Sequence, residues 1–328
     1  MVPVQPPVVI TRHHDDGIHA YTVEPDAIGT LEPAAVFRPL DGDEVTGSAV
    51  RPDLARVVYT TLHRVVCLDR SGDLLWESEF APRSDVRHGH RPGCALSLDG
   101  RTVWVYRPDA MAGRADADQW VLHDAESGAV LARREVRTAG HGGFHHVHPV
   151  DGSVYLDIGE GQDGTVVLRG VPGGDGDVDV DVEFTEYPWP DRCLIALSPG
   201  GEQFMTVDHA QADVAFHRHP GGEVLLALPV EAFGYDPDET VVEWSGGYLT
   251  PDTAVVTLAG ETEDGEDWYR FHLVDVSTGT VDSEPLAVEA AHSYDIHPLG
   301  DGSWLTEGPI RWFREEPSAA VPPSRPAD

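Results

Sequence analysis

The sequence contains no lysine and no asparagine, and each absence excludes a class of chemistry. Without lysine the chain has no amine for a Schiff base and lacks the lysine of a phosphate-binding loop. Without asparagine it has no acceptor for N-glycosylation. Apart from the N-terminus, every fixed cation is therefore an arginine.

Cysteine is also scarce, because the chain has only Cys67, Cys94 and Cys193. The three are far apart and show no C-x-x-C spacing, which excludes a disulfide framework and a cysteine zinc site. Each lies in an apolar, strand-like stretch. We therefore expect buried structural thiols.

Basic residues and long apolar runs are missing as well. With 57 acidic and 22 basic residues, the formal charge is -35. Such a surface repels phosphate backbones, which argues against nucleic acid, and it attracts cations or a cationic partner. No apolar run approaches the roughly 18 residues of a membrane span, and no basic region leads into an apolar one at the start. We expect a cytoplasmic protein without membrane contact.

What the sequence does contain is a repeat. Short apolar stretches that end in a polar turn and continue into a second strand recur at intervals of roughly 50 residues, a period typical of β-propeller blades. They include "GCALSLDGRTVWVYR" and "FHHVHPVDGSVYLDI", and the six begin at Gly47, Gly93, Phe144, Leu194, Gly246 and Ser293.

A second pattern follows most of these stretches. It is a strand, an Asp or Gly turn and another strand, as in "VVCLDRSGDLLWE" and "WVLHDAESGAVLARREV". Alternating apolar runs bounded by such turns are typical of strands and hairpins. Each unit thus has four strands, here called a, b, c and d from first to last. The sequence predicts an all-β fold, a single β-propeller of four-stranded antiparallel blades.

The two ends of the chain decide the number of blades. Five units are complete between residues 46 and 287, residues 291–315 supply strands a, b and c, and residues 8–35 supply b, c and d. The ends form either one shared blade, giving six, or two incomplete ones, giving seven. "VVITR" and "SWLTEG" would both need the b position of a shared blade, so we predict seven. The propeller would span residues 1–316, and a Pro- and Ser-rich tail, residues 317–328, is expected to be disordered.

The turns "LSPGG", "LSLDG" and "LTPDT", together with "LDRSG" and "VDVSTG", resemble those of the WD40, YVTN and quinoprotein-like propeller superfamilies. The resemblance covers most of the chain and implies the fold, but propellers include both enzymes and scaffolds. No Trp-Asp dipeptide closes a strand c, as WD40 repeats would require. The tryptophan stacking of quinoprotein enzymes is absent too, so we do not expect their cofactor.

Alignment of the repeats on the turn after strand a gives columns of equivalent residues. Two positions before the turn residue the column contains Ala49, Ala95, His146, Ala196, Tyr248 and Asp295. The alanines indicate a tightly packed face, and a polar group there must be hydrogen-bonded. His146, Tyr248 and Asp295 are therefore the candidate catalytic residues.

A second column lies in the loop that leads into strand a, seven positions before the turn residue. It contains Glu44, His90, His141, Asp191, Glu243 and Ala290. These loops and the b–c loops open on one face around the axis, so imidazoles and carboxylates should collect there. Imidazole plus carboxylate suits Mn, Fe, Zn or Ni. The candidate metal ligands are His90, His141, Asp191 and Glu243, and the candidate ligand-binding residues are His14, Arg91, Arg192, Trp244, His209 and His292.

The segment "GGFHHVHPVDG", residues 142–152, holds three histidines within four positions. His148 is in the turn column, so we predict a structural cap there and, by the same alignment, at His297. The alignment leaves the role of His145 open. The cluster is therefore one strand of a repeat, and any site must be completed by other blades.

Two functional hypotheses remain open. In the first, the propeller binds a small polar molecule on its His-, Asp- and Glu-rich axial face. The chemistry would be of lyase, isomerase or hydrolase type with a divalent metal, and a histidine could move a proton. In the second, the same face is a non-catalytic, WD40-like scaffold for a cationic partner.

Overall fold

The computed structural model describes residues 8–25, 27–86, 89–172, 182–189, 191–262 and 264–313. The tail predicted for residues 317–328 lies outside the described residues. Regular structure in the described ranges is almost entirely β-strand, with two 3₁₀ turns at Gly161–Asp163 and Val230–Phe233. No helix in these ranges is long and apolar enough to cross a bilayer.

All but one of the strands in the N-terminal half belong to the first four blades. They are β1 (Val8–His14), β2 (Gly17–Val23), β3 (Gly29–Thr30), β4 (Ala35–Phe37), β5 (Gly47–Val50), β6 (Arg56–Thr60), β7 (Arg64–Asp69), β8 (Leu74–Glu79), β9 (Gly93–Leu96), β10 (Thr102–Arg107), β11 (Asp118–Asp124), β12 (Val130–Val136), β13 (Gly142–Val147), β14 (Val154–Gly159), β15 (Thr165–Pro172) and β16 (Val182–Glu186).

The remaining strands build the last three blades. They are β17 (Arg192–Leu197), β18 (Gln203–Asp208), β19 (Asp213–Arg218), β20 (Val224–Pro229), β21 (Thr240–Thr250), β22 (Thr253–Glu261), β23 (Asp267–Asp275), β24 (His297–Pro298), β25 (Ser303–Thr306) and β26 (Ile310–Phe313).

These strands pair into seven antiparallel sheets, which confirms the prediction of a seven-bladed propeller. The sheets are β1-β2-β4, β5 to β8, β9 to β12, β13 to β16, β17 to β20, β21-β22-β23 and β24-β25-β26-β3, numbered here as the first to the seventh blade. As predicted, the C-terminal region supplies strands a, b and c of the seventh blade. Because β4 leads into β5, the first strand of the second blade, β1, β2 and β4 are the b, c and d strands of the first blade.

The ring is closed by β3, which the sequence did not reveal. This two-residue strand pairs with β26 through Ile310↔Thr30 and Arg311↔Gly29, and it supplies the outer strand of the seventh blade. This closure is stabilised by Arg311, which is 1% exposed. Its guanidinium donates to Asp301 Oδ2 at 2.5 Å and to the carbonyl oxygens of Glu24 and Ala27. The two ends of the chain are thereby joined.

The repeated turns between strands c and d follow from one local interaction. An aspartate at the end of strand c accepts backbone N–H groups of its own turn, which is the hydrogen bonding that favours Asp at such positions. Asp69 accepts from Ser71 and Asp73, Asp124 accepts from Ser127, and Asp275 accepts from Ser277 and Thr278. Glycines with positive φ follow at Gly72, Gly128 and Gly279.

Neighbouring blades pack through large aromatic side chains. Trp104 and Trp120 are both 0% exposed, and their ring centroids are 4.7 Å apart. Gly170 makes room for them, because a Cβ atom there would lie 2.4 Å from the Trp104 ring. Both tryptophans belong to the third blade and Gly170 belongs to the fourth, so this packing joins two blades that carry part of the candidate site.

Candidate functional site

The third to seventh blades surround a cavity of about 1060 Å³ at the axis. Its described wall has five imidazoles, three aromatic rings, one carboxyl group and one guanidinium, namely His90, His141, His146, His209, His297, Phe144, Trp244, Tyr294, Asp157 and Arg91. Strand β13 supplies Phe144 and His146, and β21 supplies Trp244. The segments that lead into β9 and β24 supply His90, Arg91 and Tyr294. The cavity is thus rich in imidazole, as predicted, but holds few carboxylates.

The three clustered histidines have different surroundings. His145 accepts a hydrogen bond from Trp120 Nε1 at 3.1 Å, and burial lowers its pKa to about 3. His148 is buried as well, with Nε2 2.8 Å from the carbonyl oxygen of Gly201 and Nδ1 accepting the N–H of Asp151. The predicted cap at His148 is confirmed, and His145 is a structural residue. Of the three, His146 lines the cavity.

His146 is half-buried on β13, and its Nε2 atom is shielded from solvent without a hydrogen-bond partner. Burial lowers its pKa to about 4, while a backbone hydrogen bond with Leu194 acts in the opposite direction. The ring is therefore neutral at physiological pH. A neutral imidazole with a free ring nitrogen can accept or donate a hydrogen bond, depending on its tautomer.

Asp157 on the adjacent strand β14 is 7% exposed. Its Oδ2 accepts the N–H of Leu194 at 3.0 Å, and its Oδ1 has no partner. Burial raises the pKa of this carboxyl group to about 7, against the lowering effect of the Leu194 hydrogen bond. Asp157 therefore exchanges a proton near neutrality, which is the property required of a general acid–base group.

His90 supplies a third unpaired atom. The side chain is 2% exposed, and its Nε2 is 3.0 Å from the carbonyl oxygen of Val86. A carbonyl oxygen can only accept, so Nε2 carries the proton and Nδ1 is an acceptor. Nδ1 is buried without a partner. Burial lowers the pKa of His90, so the ring stays neutral.

The other two candidate catalytic residues are not among the described residues that line this cavity. Tyr248 is 3% exposed in the core beside Phe216, with its hydroxyl 3.4 Å from Gln203 Oε1. Register shifts in β21 on either side of Tyr248 explain why it does not face the axis as His146 does. Asp295 accepts the N–H groups of Ala291 and Glu307, so it fastens two loops of the seventh blade.

The six candidate ligand-binding residues divide into two groups. Arg91, Trp244 and His209 line the cavity, and the rings of His209 and Trp244 stack at 5.6 Å. His14, Arg192 and His292 are not among the lining residues. His14 contacts Tyr21 and His19, Arg192 pairs with Asp213 at 2.6 Å, and His292 lies 4.0 Å from Glu307.

The candidate metal ligands are not assembled into a chelate. His90 and His141 line the cavity, whereas Asp191 lies 3.5 Å from His209 and Glu243 lies 3.5 Å from Gln211. No three of the four bring ligand atoms within 4.8 Å of one another, and His148, Asp151 and His219 form the one such group among the described residues. The acid-rich axial metal site does not fit this arrangement.

The ligand atoms of the group His148, Asp151 and His219 are already engaged. Both ring nitrogens of His148 are hydrogen-bonded, Asp151 pairs with Arg169 at 2.8 Å, and His219 Nε2 is 2.8 Å from the hydroxyl of Tyr155. A metal ion would have to replace these partners. The arrangement fits a hydrogen-bonded junction between the fourth and fifth blades better than a chelate.

Replacing His148 by alanine is expected to destabilise the fold by about 2 kcal/mol or more, because the buried Gly201 carbonyl and the Asp151 N–H lose their partner. Chemical denaturation of the His148→Ala variant measures this loss, with Asp163→Asn, an exposed change, as the control. Zn²⁺ is expected to leave the wild-type midpoint unchanged. A Zn²⁺-dependent rise that His148→Ala abolishes would instead show a metal site.

Sequence reasoning missed Asp157, Cys193, Tyr294 and the cavity position of His297, for which it predicted a cap. A signal for Asp157 was present. The register pairs Gly47 with Thr60 and Phe144 with Asp157, so this carboxyl group stands where the second blade has threonine. Cys67 and Cys94 are buried as predicted, whereas Cys193 is partly exposed and lines the cavity.

No family model and no curated protein matches the chain. Among solved structures, Kuenenia stuttgartiensis hydrazine synthase is similar at 15% identity and a TM-score of 0.52, over 80% of this chain and 73% of that chain. Dihydro-heme d1 dehydrogenase NirN in complex with DHE matches at 13% and 0.53, over 93% of this chain and 59% of that chain. YCF48 bound to D1 peptide matches at 13% and 0.53, over 97% and 95%. At these identities the likeness shows the propeller fold alone.

Proposed function

We propose that this β-propeller binds a small polar organic molecule in its axial cavity and holds it through His90, His146 and Asp157. The observation that carries the proposal is that each of these side chains has a buried polar atom without a partner. All three side chains line the same cavity. A buried unpaired polar group costs about 1–3 kcal/mol, which a hydrogen-bonding ligand would recover.

The three atoms also define what the ligand must offer. His90 Nδ1 accepts a hydrogen bond, and His146 is neutral, so neither ring brings a formal charge. The Asp157 carboxyl group donates when protonated and accepts when ionised. This part of the wall therefore suits uncharged hydroxyl, carbonyl or amide groups.

The reaction that this arrangement supports is proton transfer. Asp157 has a pKa of about 7 and would act as the general acid–base group, while His146 on the same wall would hydrogen-bond the ligand. Proton transfer is common to the lyase, isomerase and hydrolase types of chemistry. The structural neighbours include enzymes and a peptide-bound protein, so the fold does not select among these possibilities.

A fragment screen by ligand-observed NMR tests the proposal, using a library of neutral, anionic and cationic molecules. We expect binders whose affinity falls about tenfold in His146→Phe and in Asp157→Asn, because each change alters a hydrogen-bonding group that would contact the ligand. His13→Phe, an exposed histidine outside the cavity lining, is the control. Thermal midpoints confirm folding.

If no fragment binds the folded wild type, or if every binder is indifferent to both substitutions, the proposal is wrong. The propeller would then be better explained as an interaction scaffold.

A further inference from the structure

The described lining of the cavity is far less acidic than the molecule as a whole. The chain carries 57 acidic residues, yet Asp157 is the one carboxyl-bearing side chain among the described lining residues. That group is partly protonated near neutrality because burial raises its pKa to about 7. Asp191 lies 3.5 Å from His209 and Glu243 hydrogen-bonds Tyr294, but neither carboxylate is itself among the described lining residues. The lining itself therefore favours an anion over a cation.

The same wall carries one fixed positive charge, Arg91. Its backbone is fastened to the fourth blade, because its N–H donates to the carbonyl oxygen of His141 at 2.8 Å and the residue bridges to Gly142. Its side chain is exposed and forms no hydrogen bond or ion pair with any described residue. A guanidinium held in this way is suited to a carboxylate, which it can bind with two hydrogen bonds.

Three aromatic rings line the cavity with much of their surface uncovered. Trp244 is 37%, Tyr294 49% and Phe144 75% exposed. Trp244 is held in place, since its Nε1 donates to the carbonyl oxygen of Asp208 at 3.2 Å and His209 stacks on the indole. Apolar rings exposed in a concave site are typical of ligand contact, and a flat ring fits them best.

We infer that the cavity takes an aromatic carboxylate, with its ring against Trp244 and Tyr294 and its carboxylate on Arg91. The inference rests on the proposed function and specifies its ligand class. The unpaired groups of His90, His146 and Asp157 would then bind uncharged polar substituents on the same molecule. The same lining argues against a cationic ligand inside the cavity.

Four matched probes test the assignment by isothermal titration calorimetry: 2-naphthoate, 2-naphthamide, decahydro-2-naphthoate and 2-naphthylmethylammonium. We expect naphthoate to bind best. The amide, which lacks the charge, and the saturated acid, which lacks the aromatic ring, should each bind at least about tenfold more weakly, and the ammonium probe should not bind.

Variants assign each half of the probe to its residue. Arg91→Gln is expected to weaken naphthoate about tenfold and leave naphthamide unchanged, whereas Trp244→Leu should weaken both and spare the saturated acid. Arg101→Gln, whose side chain is 86% exposed and lies outside the cavity lining, is the control.

The assignment is overturned if the amide or the ammonium probe binds as tightly as naphthoate, or if Arg91→Gln weakens acid and amide equally. It is also overturned if none of the four probes binds, although fragments from the screen bind and are weakened by His146→Phe and Asp157→Asn. In both cases the proposed function survives. Failure of the fragments and the probes together removes both.

Discussion

An Arg311→Leu variant is expected to lose about 3 kcal/mol of folding free energy, the largest loss that we predict for the substitution of a single buried residue. The guanidinium has no exposed area, and it joins Asp301 and Ser303 of the seventh blade to the carbonyl oxygens of Glu24 and Ala27. Removing the buried guanidinium leaves the carbonyl oxygens of Glu24 and Ala27 without this donor, whereas the Asp301 carboxylate is 46% exposed and stays solvated. Leucine fills part of the volume but supplies no donor.

The loss of stability should appear first as local opening near the ring closure, before the whole propeller unfolds. Arg311 connects residues that are 284 to 287 positions apart in the chain, so its removal weakens the junction at which the ring closes. We expect amide hydrogen exchange to rise in β1 to β4 and β24 to β26 and to stay nearly unchanged in β9 to β20. Denaturant unfolding gives the total loss.

Two variants sharpen this result. Arg311→Lys keeps the charge but offers fewer donors in a different geometry, so it should recover only part of the stability. Arg218→Leu changes an exposed arginine on β19, far from the closure, and should stay within about 0.5 kcal/mol of the wild type. Equal exchange in all seven blades of Arg311→Leu would refute a special role in closure.

The repeat architecture was predictable because local interactions determine it. Aspartates such as Asp69 and Asp124 cap the turns between strands c and d, and glycines with positive φ follow them, so the turns mark the blades in the sequence. The closing strand β3 was not predictable. Two residues, Gly29 and Thr30, have no periodicity, and their pairing depends on β26 at the far end of the chain.

The candidate site was predictable only where the repeats stay in register. The two alignment columns singled out His146, His90 and His141, and all three line the cavity in the structure. Tyr248 does not share the orientation of His146, the residue aligned with it, because register shifts in β21 turn its side chain into the core. Asp157 was missed because its special state arises from burial against Leu194 of the next blade, a contact that no single repeat encodes.

That burial predicts the second large effect, a pH-dependent stability difference between the wild type and Asp157→Asn. The folded pKa of Asp157 is about 7, and the ordinary value is 3.8. Between these values the folded chain holds a proton that the unfolded chain releases, so the stability that this group contributes falls as pH rises through that range. Three pKa units correspond to about 4 kcal/mol.

Asparagine removes this dependence, because it is neutral at every pH and its carbonyl oxygen can still accept the Leu194 N–H. The free energy of unfolding of Asp157→Asn minus that of the wild type is therefore expected to be near zero at pH 4. It should rise to several kcal/mol in favour of the variant by about pH 7, the folded pKa, and level off towards pH 8. Urea denaturation at pH 4, 5, 6, 7 and 8 measures the difference.

Other groups also titrate between pH 4 and 8. The pH dependence of wild-type stability alone therefore does not isolate Asp157, whereas the difference between the variant and the wild type does. Burial lowers the pKa of His145 to about 3 and of His146 to about 4, so the folded chain holds both rings neutral and loses stability as pH falls below their ordinary value of 6.5. This effect opposes that of Asp157 and is present in both proteins. Subtraction therefore leaves the carboxyl group.

Asp238→Asn controls for the loss of one negative charge, because its carboxylate is exposed, and it should give a flat difference curve. A flat curve for Asp157→Asn would mean that the wild-type carboxyl group ionises at its ordinary pKa. It could not then exchange a proton near neutrality, and the acid–base role proposed for Asp157 would be lost. Hydrogen bonding by the unpaired nitrogens of His90 and His146 would remain, so the cavity would be a binding site without that chemistry.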